Sequence, residues 1–191
     1  MRKRHSLPML TAVLLTGCAG SSPESYQPAT VVEPRAMVGT LPRGDALLQQ
    51  TAIEGHNLAR SLVGVPPLIW DDGLADHARA YAAILARTGR FQHAKQPMGP
   101  GREGENLFMG SAGAYSYIEM IALWIGEKRY FTNGAFPAIS TSGRWQDVGH
   151  YTQIVWRGTT RVGCALAIGG GQDYLVCRYA PPGNVVGLKA F

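Results

Sequence analysis

Apolar residues recur at the spacing of an α-helix in three segments, and capping or helix-breaking residues bound each segment. The spacing predicts three helices: Asp45 to about Leu62, the residues after Asp72 to about Thr88, and Ser116 to about Lys128. Their apolar stripes are Leu47, Leu48, Ala52, Leu58 and Leu62; Leu74, Ala78, Tyr81, Ala82 and Leu85; and Ile118, Ile121, Ala122 and Ile125. We expect Asp45 to be the N-cap of the first helix and Gly89 to end the second.

Strand-like runs come later in the chain. They are Thr152 to Trp156, Gly163 to Ile168 and Asp173 to Tyr179, and the turn-forming residues Gly169 to Gln172 join the last two. Because helices come first and strands follow, the pattern is typical of an α+β domain rather than of an alternating parallel sheet.

The predicted hairpin places two cysteines, Cys164 and Cys177, on adjacent antiparallel strands. The chain has three cysteines, and the third, Cys18, lies in the N-terminal segment. In an exported chain the remaining pair is expected to form a disulfide bond. Two free buried thiols are the alternative.

The N-terminal segment has the pattern of an export signal. Three basic residues, Arg2 to Arg4, precede the apolar stretch Leu7 to Leu15, which is too short to cross a bilayer as a helix. The sequence Leu15-Thr16-Gly17-Cys18 resembles a bacterial lipobox, in which the cysteine is acylated and becomes the new N-terminus. An ordinary secretory signal with an incidental cysteine is the alternative.

Lipidation of Cys18 would anchor the protein to a membrane, since two acyl signals suffice for stable attachment. Ala19 gives no aspartate-type signal for retention at the inner membrane. We therefore expect a lipid-anchored protein of the bacterial cell envelope, at the outer membrane where the cell has one, with its domain in the periplasm or outside the cell.

Three parts of the chain follow from these patterns. They are a lipoprotein signal peptide at 1–17, a lipidated cysteine with a flexible tether at 18–44, and a folded domain at 45–191. The tether is predicted because Ser, Pro, Glu, Thr and Gly dominate from Ala19 to about Arg43 without helical or strand periodicity.

Composition and charge exclude other classes of protein. The 191 residues are 46% apolar, too many for a disordered chain, and 16% charged, few for a coiled coil. Without Arg2, Lys3 and Arg4 the formal charge falls from +5 to +2, and no basic run occurs elsewhere. No nucleic-acid partner is therefore expected.

Six short motifs follow one another in the later part of the chain. They are His56-Asn57-Leu58-Ala59-Arg60, Pro67-Leu68-Ile69-Trp70-Asp71, Gly104-Glu105-Asn106-Leu107-Phe108, Trp124-Ile125-Gly126-Glu127, Gly149-His150-Tyr151-Thr152-Gln153-Ile154-Val155-Trp156 and Tyr179-Ala180-Pro181-Pro182-Gly183-Asn184. In this order they resemble the CAP superfamily of cysteine-rich secretory proteins, insect venom antigen 5 and plant pathogenesis-related class-one proteins, over about residues 46–191. The resemblance implies a three-layer α-β-α sandwich with a central antiparallel sheet.

The resemblance also implies a central cleft lined by two histidines and two glutamates: His93, Glu105, Glu127 and His150. Two imidazoles with two carboxylates suit zinc, so His93 and His150 are the candidate metal ligands. Glu105 or Glu127 is then the candidate catalytic base for a metal-bound water. Many relatives have serine after the first histidine, whereas this chain has Ala94, which weakens any mechanism that relies on a hydroxyl there. The alternative is that the glutamates are ion-paired and only hold the loops together.

Familiar catalytic signatures are missing from the sequence. It contains no His-Glu-x-x-His, no Gly-x-Ser-x-Gly and no Gly-x-x-x-x-Gly-Lys. We therefore expect a binding protein for an unidentified protein, lipid or peptide, with zinc as the one candidate cofactor. The alternatives are a metal-dependent hydrolase acting on peptides or the cell wall, and a lipid- or sterol-binding protein, which would need an apolar groove.

Other distinctive residues are given structural roles. We expect the tryptophans at 124, 145 and 156 to form the core or the cleft wall, with ligand stacking as the alternative. His56 is expected to pack and hydrogen-bond, and His77 to be solvated. The segment Pro181 to Asn184 is expected to form a tight turn.

Overall fold

The computed structural model describes residues 32–37 and 39–191. The predicted signal peptide, Cys18 and the tether up to residue 31 lie outside the described residues. In the described part the strands are β1 Val32–Glu33, β2 Ile69–Trp70, β3 Gly104–Ser111, β4 Arg161–Gly169 and β5 Gln172–Ala180. The helices are α1 Asp45–Ser61, α2 Asp72–Thr88, α3 Tyr117–Gly126 and α4 Gly149–Ile154, with short 3-10 turns at Glu127–Tyr130 and Trp145–Asp147.

The strands form one sheet in the order β1-β3-β5-β4-β2. The three central strands are antiparallel, whereas β1 and β2 pair in parallel at the two edges over two residues each. The predicted hairpin joins β4 to β5, and Gly170 and Gly171 adopt the positive φ values of 57° and 76° that its tight turn requires. Cys164 lies directly opposite Cys177 and the two form a disulfide bond, as predicted.

Helices cover both faces of this sheet. On one face α2 packs on β4 and β5, burying Ala78, Ala82 and Leu85 against Val176. On the other face α1, α3 and α4 share a larger core with the side chains of alternate strand residues. The result is the predicted three-layer α-β-α sandwich.

Helix α2 lies close to the sheet because β4 carries glycine beneath it. A Cβ on Gly163 would lie 2.2 Å from the backbone nitrogen of Ala75. Helix α2 begins after Asp71, one residue earlier than predicted, and the Asp71 side chain accepts a hydrogen bond from the amide of Leu74; the helix ends at a left-handed Gly89, as predicted.

The predicted apolar stripe of α1 is partly wrong. Leu58 and Leu62 are 65% and 70% exposed, and the helix turns His56 and Arg60 into the core instead. Leu47 is exposed as well. Asp45 is the first helical residue rather than the N-cap, because the chain enters from Gly44 without a side-chain cap. The apolar pattern predicts the wrong buried face of α1 because it counts only apolar residues. Polar residues can also be buried when they have hydrogen-bond partners inside the protein.

Helix α3 has a similar difference. Its buried side chains are those of Tyr117, Met120, Ile121 and Trp124, whereas Ile118 and Ala122 of the predicted stripe are exposed. The helix ends at Gly126, and a 3-10 turn replaces the predicted last residues.

The segment predicted as a strand from Thr152 to Trp156 is mostly helical. It belongs to α4, in which every residue from His150 to Ile154 is buried. A run that is buried on all sides has no helical periodicity, and the β-branched residues at 152, 154 and 155 favoured a strand.

Strand β3 is absent from the sequence prediction, although it lies between β1 and β5 in the sheet. It contains no β-branched residue and has glycine at positions 104 and 110, so strand propensity is low. Consecutive side chains of β3 face opposite sides of the sheet, and Leu107 packs with the α2 layer whereas Phe108 packs with the α1 layer.

Part of the predicted tether contacts the domain. Strand β1 pairs with β3, and the guanidinium of Arg43 binds the buried carboxylate of Asp173 at 2.8 Å. The domain boundary at residue 45 stays a prediction.

Among the residues the structure describes, no helix has both the length and the apolar character needed to cross a membrane.

Candidate functional site

The first histidine of the predicted site is bound to the first glutamate. His93 follows α2 in an irregular segment, and Glu105 is the second residue of β3. The imidazole Nδ1 of His93 donates to Oε1 of Glu105, and the amide of Ala94 donates to the same oxygen at 3.0 Å. The other oxygen, Oε2, lies 2.8 Å from Nη2 of Arg178. Oε1 of this buried carboxylate is therefore hydrogen-bonded, whereas Oε2 forms an ion pair with Arg178 and accepts no hydrogen bond.

The second histidine is bound to the second glutamate in a comparable way. Glu127 follows α3 directly, and His150 is the second residue of α4. Nδ1 of His150 donates to Oε1 of Glu127 at 2.6 Å, while Oε2 accepts from the amides of His150 and Tyr151 at 3.0 and 3.1 Å. The ring also stacks on Trp124, with 5.7 Å between centroids. Helix α4 and the end of α3 are thus joined at this pair.

The four predicted residues come together as two pairs. A connection between the pairs runs through Asn106, the neighbour of Glu105 on β3, whose side-chain amide donates to the carbonyl of His150 at 3.1 Å. Because side chains alternate along a strand, those of Glu105 and Asn106 leave β3 on opposite faces, and the contact of Asn106 with His150 is to its backbone.

A carboxylate at Nδ1 stabilises the imidazole tautomer that carries its proton there, and the lone pair then lies at Nε2. Such carboxylate-histidine pairs commonly orient metal-binding imidazoles. In the described part of the chain, however, no three His, Cys, Asp or Glu side chains are grouped so that they could hold a metal ion. Each glutamate is thus bound to one histidine, and the assignment of His93 and His150 as metal ligands stays a prediction.

A buried polar network supports the His150 half of the site. His56 donates from Nδ1 to the carbonyl of Ala52 at 2.7 Å, so its Nε2 accepts from the hydroxyl of Tyr179 at 2.8 Å. That hydroxyl in turn accepts from Asn106 at 3.1 Å. Burial lowers the pKa of His56 to about 4 and raises that of Tyr179 well above its usual range. His56 therefore packs and hydrogen-bonds, as expected, in its neutral form.

Arg60 is a second buried polar residue of α1. Its guanidinium donates to four backbone carbonyls, those of Pro66, Ile154, Trp156 and Thr159, at 2.6 to 3.0 Å. Burial lowers its pKa to about 10. The residue fixes the chain that leaves α4 against the end of α1.

The segment Pro181 to Asn184 holds α4 from the other side. It bends at Pro181 but does not form the predicted tight turn, because its amides and side chains bond to α4 instead. Asn184 adopts a φ of 54°, and its side chain accepts from Thr152 Oγ1 at 2.7 Å and donates to the carbonyl of Gly149 at 2.9 Å. The amide of Gly183 donates to the side chain of Gln153 at 2.9 Å. This segment thus contributes to placing His150.

The remaining predictions concern the tryptophans and His77. Trp124 and Trp156 are buried in the core, and Trp145 is partly buried against Phe136. His77 is largely exposed, as expected, but its Nδ1 also binds Glu103 at 2.6 Å.

An apolar groove of about 490 Å³ lies between α1 and β2. Ile53, Leu68, Ile69 and Trp70 form most of its wall, together with two glutamines of α1. None of the groove residues belongs to the two His-Glu pairs, so this is a separate surface.

Sequence reasoning missed Arg178, Asn106 and Tyr179 as parts of the site. Asn106 and Tyr179 each belong to one of the six sequence motifs, and that membership could have identified them as candidate site residues. Arg178 stands outside every motif, and its role follows only from strand register, which places it opposite Glu105.

Comparisons with known proteins agree with this fold. The sequence profile of CAP, the cysteine-rich secretory protein family, matches residues 53–179. The chain is 41% identical to pathogenesis-related protein 1C of Nicotiana tabacum over 144 residues, covering 75% of this chain and 80% of that protein. It is 39% identical to pathogenesis-related protein 1 of Arabidopsis thaliana over 144 residues, covering 75% and 82%.

Solved structures show the same likeness. The structure of NaASP2 with Zn2+ matches with a TM-score of 0.62 and 25% identity, covering 80% of this chain and 90% of that one. BmVAL-1 also has a TM-score of 0.62, at 21% identity, covering 82% and 86%. The second of these is a likeness of fold alone.

Proposed function

The chain belongs to CAP, the cysteine-rich secretory protein family, and from that premise we propose that it is an exported binding module whose His- and Glu-lined cleft takes a ligand or a protein partner. The observation that carries this proposal is that all four oxygens of Glu105 and Glu127 contact protein groups, three of them through hydrogen bonds and Oε2 of Glu105 through its ion pair with Arg178. A general base needs a carboxylate oxygen within reach of the proton that it removes. Two carboxylates held in this way favour binding over turnover.

We further propose that the imidazoles of His93 and His150 hold a divalent cation, with zinc as the ion to test. Neutral imidazole is a good zinc ligand, and each ring has the carboxylate partner that such ligands usually have. Zinc bound there would supply a Lewis-acidic centre. The NaASP2 structure carrying Zn2+ supports the choice of ion. Two imidazoles are fewer than the three or four protein ligands of most zinc sites, so water or the bound partner would complete the shell.

Calorimetric titration with zinc tests this proposal. The exported protein should bind one zinc ion, and His93→Ala or His150→Ala should each weaken binding at least tenfold. His77→Ala is the matched control, because His77 also binds a carboxylate but lies on the exposed side of α2. Zinc binding that survives both substitutions, or that His77→Ala removes equally, would contradict the assignment.

The hydrolase alternative has its own test. If the protein turns over peptides or cell-wall fragments, Glu105→Gln or Glu127→Gln should abolish turnover while the fold is retained, and Glu54→Gln on the exposed face of α1 should not. A binding module gives no turnover in any of these proteins.

The groove between α1 and β2 favours lipid or sterol binding as a second candidate function. Its wall is mostly apolar, which is what a hydrocarbon chain requires. Because Trp70 lines the groove, a fatty acid or sterol bound there should change tryptophan fluorescence. Trp70→Phe should remove that change, and titration without any change in the parent protein would count against this candidate.

We also propose that Cys18 is lipidated and anchors the protein in the cell envelope. The disulfide between Cys164 and Cys177 and the family's secretory character support export. Labelled palmitate should be incorporated into the parent protein and not into Cys18→Ala. A parent protein that is recovered unlabelled and outside the membrane fraction would indicate an ordinary secretory signal instead.

A further inference from the structure

Arg178 is a buried cation at the edge of the candidate site. It lies on β5 directly opposite Glu105 of β3, and their side chains are 6% and 5% exposed. Two buried charges at this register position are costly unless each has a partner, so the pair constrains both side chains.

The guanidinium of Arg178 lies between two carboxylates. Nη2 is 2.8 Å from Oε2 of Glu105, and Nη1 donates to Oε2 of Glu103 at 3.5 Å. Oε1 of Glu103 in turn binds Nδ1 of His77 at 2.6 Å. The shorter of the two contacts of Arg178 is thus with Glu105, the glutamate that binds His93.

A second connection to His93 runs through Tyr81 of α2. The guanidinium of Arg178 lies over the Tyr81 ring, 5.3 Å from its centroid. The hydroxyl of Tyr81 donates to the carbonyl of Gln92 at 2.7 Å, and Gln92 directly precedes His93. Arg178 therefore touches both groups that hold the His93 segment, the Glu105 carboxylate and the Tyr81 ring.

We propose that Arg178 is the positioning residue for the His93 half of the site. By holding Oε2 of Glu105, its guanidinium directs Oε1 of the same carboxylate at Nδ1 of His93 and so fixes the ring tautomer. Arginine suits this role because its planar fork meets two carboxylates at once, which a lysine ammonium on a flexible chain does not. The part of the inference that concerns ligand affinity rests on the proposed function, whereas the part that concerns the tautomer does not.

The test is the ¹⁵N chemical shifts of the His93 ring in the ligand-free exported protein. In the parent protein they should report a proton held at Nδ1. In Arg178→Met they should move toward a mixture of the two tautomers, and zinc affinity should fall at least tenfold. Arg178→Lys, which keeps the charge and loses the fork, should move the shifts the same way by a smaller amount and remains informative if Arg178→Met does not fold.

Two controls separate positioning from general damage. Arg161→Met removes the ion pair between a half-exposed arginine of the neighbouring strand β4 and Asp71, the N-cap of α2. Glu103→Gln removes only the outer carboxylate, and both variants should leave the His93 ring unchanged. Parent-like ring shifts in the Arg178 variants, or equal shifts in Arg161→Met, would overturn the inference. If the ring shifts move as expected but neither the parent protein nor any variant binds zinc, the proposed metal site is wrong and the positioning role of Arg178 stands.

Discussion

At the scale of single residues, polar side chains decide which face of α1 is buried. Apolar spacing selects Leu58 and Leu62, yet the helix buries His56 and Arg60, because the carbonyls and the hydroxyl around them satisfy every hydrogen bond that they need. The sequence carries no local sign of those partners, most of which come from distant parts of the chain. Such a face could not be predicted from hydrophobicity alone.

The buried His56 should make the stability of the protein depend on pH. Burial lowers its pKa from 6.5 to about 4. Between these two pH values the imidazole is protonated in the unfolded chain and neutral in the folded protein. The stabilisation is therefore complete above pH 6.5 and is lost as the pH falls toward 4, by roughly 3 kcal/mol. Urea unfolding measured from pH 7 to 4 should show this loss.

A His56→Gln variant isolates this effect from the carboxylates that titrate in the same range. Its stability at pH 7 should be lower than that of the parent protein, and the difference between the two should shrink as the pH approaches 4. Two parallel pH profiles would contradict the pKa assigned to His56.

At the scale of secondary-structure elements, the sequence predicted best where local rules suffice. Helix α2 has a capping aspartate, an apolar stripe and a terminal glycine, and the β4–β5 hairpin has its glycine turn. Helix α4 and strand β3 carry His150 and Glu105, and both were missed as elements because tertiary burial overrides their local propensities. The four residues of the candidate site could nevertheless be named, since motifs identify residues without requiring the correct element.

The side-chain contacts of Asn184 should stabilise α4. Asn184→Ala removes the two hydrogen bonds to Thr152 and Gly149 and replaces a residue that tolerates positive φ with one that does not, so it should lower the free energy of unfolding by about 2 kcal/mol. Asn184→Gly keeps the backbone conformation and should cost about half as much. Thermal unfolding of the two variants measures the difference, and equal losses would mean that backbone strain contributes nothing.

The disulfide should stabilise the hairpin of β4 and β5. Cys164 and Cys177 are 13 residues apart in sequence, so the chain-entropy treatment gives a stabilisation of about 3 kcal/mol. The double variant Cys164→Ala with Cys177→Ala should unfold at correspondingly lower urea, and added reductant should destabilise only the parent protein. An unfolding midpoint that reductant leaves unchanged would contradict this stabilisation.

At the scale of the whole molecule, described residues shortly before α1 contact the folded domain. Arg43 binds Asp173, which is 0% exposed, as well as the carbonyl of Tyr115, and its guanidinium lies over the Tyr117 ring. Arg35 makes an ion pair with Glu119 at the surface. The sequence did not predict these contacts. Proline-rich composition indicates a tether, and composition cannot show that one arginine of the segment pairs with a buried carboxylate distant in sequence.

These two arginines form a matched comparison. Arg43→Met leaves Asp173 buried without its counter-charge and should cost about 3 to 5 kcal/mol. Arg35→Met breaks a pair whose side chains are 44% and 42% exposed and screened by water, so it should cost far less than Arg43→Met. Chemical unfolding of both variants tests the contrast, and similar losses would mean that the Arg43 contact is no stronger than a surface pair.

The alternation of β3 has a consequence for changes in chain length. The carboxylate of Glu105 binds the His93 ring, and Asn106, whose side chain leaves β3 on the opposite face, donates to the backbone carbonyl of His150. Inserting or deleting one residue between Gly104 and Phe108 would exchange the two sides at once and break both halves of the site. A library of single-residue insertions should therefore be depleted there, while the exposed tip at Gly170 and Gly171 should accept extra residues.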